Sequence, residues 1–435
     1  MNTPVVALVG RPNVGKSALF NRIVGGNTAI VSDEAGTTRD RHFGRAEWNG
    51  RQFWLVDTGG LSDDTRTAMD GEIRKQVMEA IGEADLMLLV VDAEQGVHPS
   101  DSKVVDLLRA SRKPWLLVAN KVDNPTNTDY YDFFSIGAGD PLPVSATNGK
   151  NSGDLLDAIV DNIPEGGNDE SEALRIAVVG RPNVGKSSLV NRILGEERLV
   201  VSDMAGTTRD AIDTPLRYHE RDFVFIDTAG LRRQSKIDEG IEFYSSLRTR
   251  RAIERADVCI LVIDATEGLH NQDLKIAALA WETGRGLIIV VNKWDLKEKT
   301  DKTAAKFQKE AEEKAPFLRF VPFIFTSAVT GMRVNKILEI ILQVDVERHK
   351  RVSTSNINET LQSLLARRQP PQAAGHEIKF NYATQVETSP PTIVVFGNNP
   401  DLVQEHYVRY LHNGFREAYG FTGNPLNIVL RRKSA

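Results

Sequence analysis

Two glycines, a lysine and a serine at fixed spacing carry the first chemistry of this chain: Gly10-Arg11-Pro12-Asn13-Val14-Gly15-Lys16-Ser17. The glycines let the backbone curl so that successive N–H groups point at a polyphosphate. Lys16 can reach the outer phosphates, and the Ser17 hydroxyl can ligand Mg²⁺. The same eight letters return at Gly180-Arg181-Pro182-Asn183-Val184-Gly185-Lys186-Ser187. Each copy lies between an apolar run (Val5–Val9, Ile176–Val179) and an amphipathic stretch, the strand–loop–helix context that phosphate binding requires. A pair of purely structural turns does not account for two identical octapeptides in that context. Lys16 and Lys186 are the expected catalytic residues.

Three further elements recur with them. Asp57-Thr58-Gly59-Gly60 and Asp227-Thr228-Ala229-Gly230 each close an apolar strand, where the Asp is placed to bind Mg²⁺ and the last Gly N–H to face a γ-phosphate. Asn120-Lys121-Val122-Asp123 and Asn292-Lys293-Trp294-Asp295 name the base. A carboxylate there accepts two N–H groups of guanine, whereas adenine would leave it unpaired. Ser145-Ala146 and Ser327-Ala328 sit where a backbone N–H meets the guanine carbonyl. In the polar loops before the hairpins, Thr38 and Thr208 are expected to close over Mg²⁺ when a γ-phosphate is present, a switch between ordered and disordered loop. The alternative for either threonine is a cap or turn. Leu61 and Leu231 follow the D-x-x-G elements where many such enzymes carry a water-orienting glutamine. Neither can hydrogen-bond water, so intrinsic hydrolysis is expected to be slow unless another group supplies positioning and charge.

These residues must be carried by two copies of one α/β domain. The offset is 170 from Lys16/Lys186 to Asp57/Asp227, 172 at Asn120/Asn292 and 182 at Ser145/Ser327. A domain-sized period excludes a solenoid. Each copy reads as a doubly wound, mostly parallel sheet with its ligand at the strand C-termini. Asn49-Gly50 predicts a hairpin, Leu86–Val91 and Trp115–Ala119 predict buried strands, and Asp101–Ala110 and Asp154–Ile163 predict covering helices. The expected domains are 1–164 and 175–348, separated by an acidic flexible linker at 165–174, and a small α+β domain over 349–435. In that last domain the pattern predicts helix Ile357–Arg367, strands Glu377–Tyr382 and Ile393–Phe396, helix Asp401–Ala418 with an Asp cap, and strand Asn427–Arg431.

Composition adds boundaries. With 26% charged and 41% hydrophobic residues the chain is of ordinary globular type. Its single cysteine, Cys259, excludes an internal disulfide and lies in an apolar run that predicts a buried strand. No apolar run approaches a membrane span, and neither a signal peptide nor a lipidation box is read, so a cytoplasmic location is expected. The net charge of −5 divides into +5 over residues 348–435 and −10 before them, which points the C-terminal part toward a polyanion. After Gly230 the second copy carries Arg232, Arg233, Lys236, Arg248, Arg250, Arg251 and Arg255, a run that suits either an RNA backbone or a solvated helix face.

The motifs together resemble the Era-like branch of the translation-factor GTPases. Tandem domains with a C-terminal α+β module resemble the EngA/Der family of double GTPases in bacterial ribosome assembly. The resemblance implies hydrolysis of GTP to GDP at both sites, Mg²⁺, a KH-like tail, nucleotide-dependent rearrangement of three domains joined by flexible segments, and contact with the large (50S) ribosomal subunit and its rRNA. It further implies K⁺ stimulation, with Asn13 and Asn183 matching the asparagine that ligands K⁺ in related enzymes. No membrane partner is expected, and the chain is read as a monomer. Gly420-Phe421-Thr422-Gly423 is not the nucleotide clamp of a KH domain, which lies between two helices, because here it follows the last helix and precedes the last strand. It is read as a turn, with RNA contact left to basic residues. The rival readings are a regulatory module that holds GTP in one copy without turnover, and a membrane-trafficking or tRNA-modifying GTPase. The lack of lipid signals and of a cysteine in the tail disfavours the last two.

Overall fold

The computed structural model describes residues 3–25, 43–58, 77–78, 80–82, 84–123, 129–164, 173–195, 213–218, 221–227, 242–297, 303–372 and 376–432. The first repeat runs β1 (Val5–Val9), α1 (Lys16–Gly25), β2 (Phe43–Trp48), β3 (Arg51–Asp57), β4 (Leu86–Asp92), α2 (Pro99–Ser111), β5 (Trp115–Asn120), β6 (Leu142–Pro143) and α3 (Ser152–Asn162). Its sheet has the order β2-β3-β1-β4-β5-β6. Every pairing is parallel except that of β2 with β3, the hairpin the Asn-Gly dipeptide predicts. Asn49 and Gly50 both take positive φ, 50° and 74°, the backbone a right-twisted two-residue hairpin needs. All five residues of β1 and all seven of β4 are buried, as expected of strands covered on both faces. Chain order reverses at β1/β4, so the loop after β1 opens into the crevice where ligands bind in such sheets.

The second repeat follows the same path: β7 (Leu174–Val179), α4 (Lys186–Leu194), β8 (Thr214–Tyr218), β9 (Arg221–Ile226), α5 (Glu242–Arg255), β10 (Val258–Asp264), α6 (Asn271–Glu282), β11 (Gly286–Asn292), α7 (Thr303–Lys314), β12 (Phe323–Phe325) and α8 (Asn335–His349). The sheet order is β8-β9-β7-β10-β11-β12. Apolar side chains fill both its faces, one cluster around Ile176, Leu189, Ile260 and Ile337, the other around Ala177, Ile253, Leu261 and Ile289. Cys259 is a buried strand residue, and burial pushes its thiol up to about 12, well away from reactivity.

The C-terminal domain is α9 (Thr354–Arg367), β13 (Phe380–Thr388), β14 (Pro391–Gly397), α10 (Glu405–Tyr419) and β15 (Asn427–Arg432). The helix–strand–strand–helix–strand order is the expected one. Two element bounds differ. β13 starts three residues later than expected and runs on to Thr388, because its polar residues have internal work. Gln385, buried, accepts from Val352 N–H (2.8 Å) and donates to Lys350 O (3.0 Å). Asp401 caps no long helix: Pro400–Leu402 is a separate 3₁₀ turn, and α10 starts at Glu405 after Gln404.

By compactness, residues 1–169 with 241–245 form one unit, and 170–240 with 246–435 another. The second repeat and the C-terminal domain thus share a unit. The joint between them is not the flexible segment expected from sequence. Only Lys350–Ser353 separate α8 from α9, and Lys350 Nζ donates to Tyr419 O at 2.7 Å while Ser353 caps α9. The Gly420–Gly423 turn docks onto the second repeat. Leu287 N–H donates to Gly423 O and Gly423 N–H to Phe320 O, each at 2.7 Å. Buried Arg416 donates to Phe421 O at 2.7 Å and stacks on Phe320 at 4.6 Å and Trp281 at 5.3 Å.

Candidate active sites

Backbone geometry explains the glycines of the phosphate loops. Gly10 and Gly180 have φ of 143° and 141°, and a Cβ on either would collide with the carbonyl oxygen of Val90 or Val262 in the neighbouring strand. Gly15 and Gly185 have φ of 94° and lie against the side-chain amides of Asn120 and Asn292. The loop is therefore pressed against the sheet at both ends. Asn13 and Asn183 take left-handed φ of 66° and 63° between them. Asparagine is among the few residues that adopt this conformation at low cost, so loop shape alone accounts for its presence.

Lys16 begins α1 and turns back over the loop. Its Nζ donates to Gly10 O at 2.8 Å and Arg11 O at 2.6 Å. Lys186 repeats this with Gly180 O at 2.8 Å and Arg181 O at 2.7 Å. Burial pushes both ammonium groups down to about 8, against the pull of Asp57 on Lys16 and of Asp273 on Lys186. A cation desolvated in this way is stabilised by an incoming phosphate, and its protonation and the binding of an anion are linked.

Asn120 and Asn292 join three loops. Asn120 Nδ2 donates to Val14 O at 2.9 Å, and its Oδ1 accepts from Ala146 N–H at 3.0 Å. Asn292 holds Val184 O and Ala328 N–H, both at 3.0 Å. The phosphate loop, the N-K-x-D loop and the Ser-Ala loop are thus locked through one side chain in each copy. Lys121 and Lys293 follow in left-handed conformation and pair with buried Asp92 (2.5 Å) and Asp264 (2.6 Å). Hydrogen bonds from Lys293 and Thr266 hold the Asp264 carboxyl below its usual range despite its desolvation. Val122 and Trp294 are buried, while Asp123 and Asp295 are exposed at the loop tips. Ser145 Oγ donates to Asp123 Oδ1, and Lys150 donates to Asp123 O, so the base-reading carboxylate is oriented from behind.

Asp57 is buried at the last position of β3, paired in the ladder with Leu8, and Thr58 Oγ1 donates to Leu8 O at 2.7 Å. Asp227 stands one residue beyond β9 in left-handed conformation. Its N–H donates to Asp213 Oδ1 at 2.9 Å, and the other oxygen of Asp213 pairs with Arg255 at 2.5 Å. Ser17, Asp57, Ser187 and Asp227 offer hydroxyl and carboxylate oxygens, the hard donors that suit Mg²⁺. Thr38, Thr208, Gly59, Gly60, Leu61, Thr228, Ala229, Gly230, Leu231, Arg232, Arg233 and Lys236 lie outside the described residues, as does most of the expected linker. Of the other basic residues after Gly230, Arg255 is held by Asp213 and Arg250 pairs with Glu254 at 3.5 Å.

Several site residues are not visible in a search for known motifs. Asp92 and Asp264 anchor the Lys of N-K-x-D. Arg22 donates to Ala146 O at 2.8 Å and so braces the Ser-Ala loop. Asp101 and Asp273 hold Arg11 (2.8 Å) and Arg181 (3.2 Å). Their signal is in the repeat itself: Asp92-Ala93 and Asp264-Ala265, His98 and His270, Asp101 and Asp273 all recur at an offset of 172.

A sequence profile described as "50S ribosome-binding GTPase" matches residues 5–121 and again 175–293. One described as "KH-domain-like of EngA bacterial GTPase enzymes, C-terminal" matches residues 351–431. A Gemmatimonas aurantiaca protein named GTPase Der is 70% identical over the full length of both chains. Another of that name, from Caldanaerobacter subterraneus subsp. tengcongensis, is 50% identical over 100% of this chain and 99% of its own. Among solved structures, a point variant of Aquifex aeolicus Era bound to GDP·AlF₄⁻ aligns at 22% identity over 58% of this chain and 88% of its own, with a TM-score of 0.31. Among the described residues no helix is long and apolar enough to cross a membrane.

Proposed function

This chain belongs to the GTPase Der (EngA) family of tandem GTPases, and from that premise we propose that it hydrolyses GTP to GDP at both nucleotide sites and acts in maturation of the large ribosomal subunit. The observation that carries the two-site reading is the duplicated asparagine bridge. Asn120 and Asn292 tie a phosphate loop to a guanine-reading loop by the same pair of hydrogen bonds. A copy kept only as a scaffold has no need of that geometry.

In the proposed reaction the loop N–H groups and Lys16 or Lys186 take up the charge that develops on the transferred phosphoryl oxygens as water attacks in line. Asp123 and Asp295 select guanine, and Ala146 and Ala328 meet its carbonyl. Mg²⁺ supplies neutralisation of the β- and γ-phosphate oxygens when bound. Ser17, Thr38 and Asp57 would hold it in the first site, and Ser187, Thr208 and Asp227 in the second. With Leu61 and Leu231 in place of a water-orienting side chain, K⁺ held by Asn13 and Asn183 completes the proposal; equal rates in KCl and NaCl at matched ionic strength remove that part. The protein acts as a cytoplasmic monomer, with rRNA contact through the basic C-terminal domain and nucleotide-dependent movement between the two compact units.

Lys16→Ala and Lys186→Ala test the two-site reading. Each is expected to lower single-turnover GTP hydrolysis at its own site by at least about 100-fold and leave the other site active. Full activity remaining after one substitution and none after the other would reduce one copy to a regulatory site. Co-sedimentation with purified ribosomal subunits tests the destination: binding to the large subunit with a non-hydrolysable GTP analogue and not with GDP is expected, and binding in neither state would overturn it.

A further inference from the structure

We propose that Asp101 and Asp273 are positioning residues for the phosphate-binding lysines, acting through Arg11 and Arg181. The assignment rests on the reading of the two loops as GTP sites. Asp101 and Asp273 are fully buried at the third position of α2 and α6. Each carboxylate does two things. One oxygen accepts the backbone N–H of the residue before the helix, from His98 at 3.1 Å and from His270 at 3.0 Å. The carboxylate also takes the Nε–H of the loop arginine, at 2.8 Å in the first copy and 3.2 Å in the second.

The first role is an ordinary helix cap, and capping needs no ion pair with a residue about ninety positions away. The second reaches the site. The carbonyl of the same Arg11 is one of the two oxygens on Lys16 Nζ, and that of Arg181 one of the two on Lys186 Nζ. Carboxylate, guanidinium, loop carbonyl and ammonium therefore form one chain from the helix start to the phosphate-binding cation. It is built twice, with different neighbours. Arg181 has a second carboxylate, Glu267 at 2.7 Å. Arg11 has only the neutral Gln95 at 3.5 Å, and its buried Nη2 makes no hydrogen bond among the described residues. The first loop thus depends on Asp101 alone, whereas the second shares its hold between Asp273 and Glu267.

The test uses the full-length chain with one site silenced. In a Lys186→Ala background, Asp101→Asn keeps an oxygen for the His98 N–H and removes the charge from Arg11. KM for GTP at the first site is expected to rise about tenfold, the scale of one charge-assisted hydrogen bond, with a smaller change in kcat. Arg11→Ala is expected to give the same loss, and the double variant no more than either single one. Additive losses, or an unchanged KM with a lowered melting temperature, would make Asp101 a helix cap only. Arg11→Lys, which leaves the cap untouched, is expected to fall between wild type and Arg11→Ala because it keeps the charge without the fork; a wild-type KM for Arg11→Ala overturns the proposal even if Asp101→Asn fails to fold. In a Lys16→Ala background, Asp273→Asn is expected to cost only about threefold, and Asp273→Asn with Glu267→Gln the full tenfold. The Lys186→Ala parent binding no GTP would overturn the reading of the first site and this assignment with it.

Discussion

The two nucleotide sites agree where the ligand would lie and differ one layer behind it. Lys16 and Lys186 rest on the same pair of carbonyls, and Asn120 and Asn292 make the same two bonds within 0.1 Å. The D-x-x-G aspartates are held by different means. In the first copy the strand itself carries Asp57, in register with Leu8, and the next side chain fastens onto Leu8 O. In the second the strand stops at Ile226, Asp227 turns left-handed, and Asp213 holds its N–H from the far end of the hairpin. The residue at the matching position of the first copy is Phe43, which has no carboxylate. Geometry at the ligand is therefore the shared constraint, and the supports behind it have been free to diverge.

The largest test of the shared part is Asn120→Ala against Asn292→Ala. Each removes two buried hydrogen bonds and leaves a backbone N–H unsatisfied, which costs about 3 kcal/mol and weakens nucleotide binding at that site by about 100-fold. The two losses are expected to match within a factor of about three. A much smaller loss in one copy, measured by titration with a labelled guanine nucleotide, would break the equivalence. The divergent part is tested by Asp213→Ala. It frees Asp227 N–H and the Arg255 guanidinium together, and is expected to lower kcat/KM at the second site by about tenfold. The first site, measured in a Lys186→Ala background, is expected to be unaffected. A loss at both sites would mean that Asp213 stabilises the unit as a whole rather than the placement of Asp227.

The same division governs what was legible in the sequence. Residues that meet a ligand are constrained by its chemistry, so they appear as short fixed motifs, and the described ones fall together in each crevice. The residues behind them are constrained only by reach and charge. Asp101 reads from sequence as a helix cap, and it is one; its ion pair with Arg11 spans ninety positions and leaves no local pattern. Strand β13 was hidden for a related reason. Gln385 and its polar neighbours break the alternation that marks a strand, yet Gln385 is buried because it satisfies the backbone of the joint at Lys350 and Val352. That joint, short and pinned, was unreadable as rigid from composition. The hairpin at Asn49-Gly50, the buried strands and Cys259 in β10 were readable because each depends on local backbone or on burial alone.

A subtler measurement sharpens the equivalence of the two lysines. Burial pushes Lys16 and Lys186 down to about 8 in the free protein. A bound triphosphate stabilises the ammonium and raises its pKa, so binding above pH 8 takes up a proton that the free lysine has lost. Below pH 7 both states hold the proton and affinity is flat on this account. Between pH 8 and 9 the protonated fraction of the free lysine falls from about one half to about one tenth, so affinity at each site is expected to drop about fivefold. Nucleotide titrations from pH 6.5 to 9.5 in the Lys186→Ala and Lys16→Ala backgrounds, repeated in two buffers of different ionisation enthalpy, read the coupled proton directly. The same midpoint in both backgrounds is expected, since Asp57 opposes the burial of one lysine and Asp273 that of the other. Asp273→Asn is then expected to move only the second site, to a lower midpoint, because it removes a charge that supports the Lys186 ammonium. A curve flat to pH 9.5 at either site would mean that its lysine keeps an ordinary pKa, with its charge already balanced before nucleotide arrives.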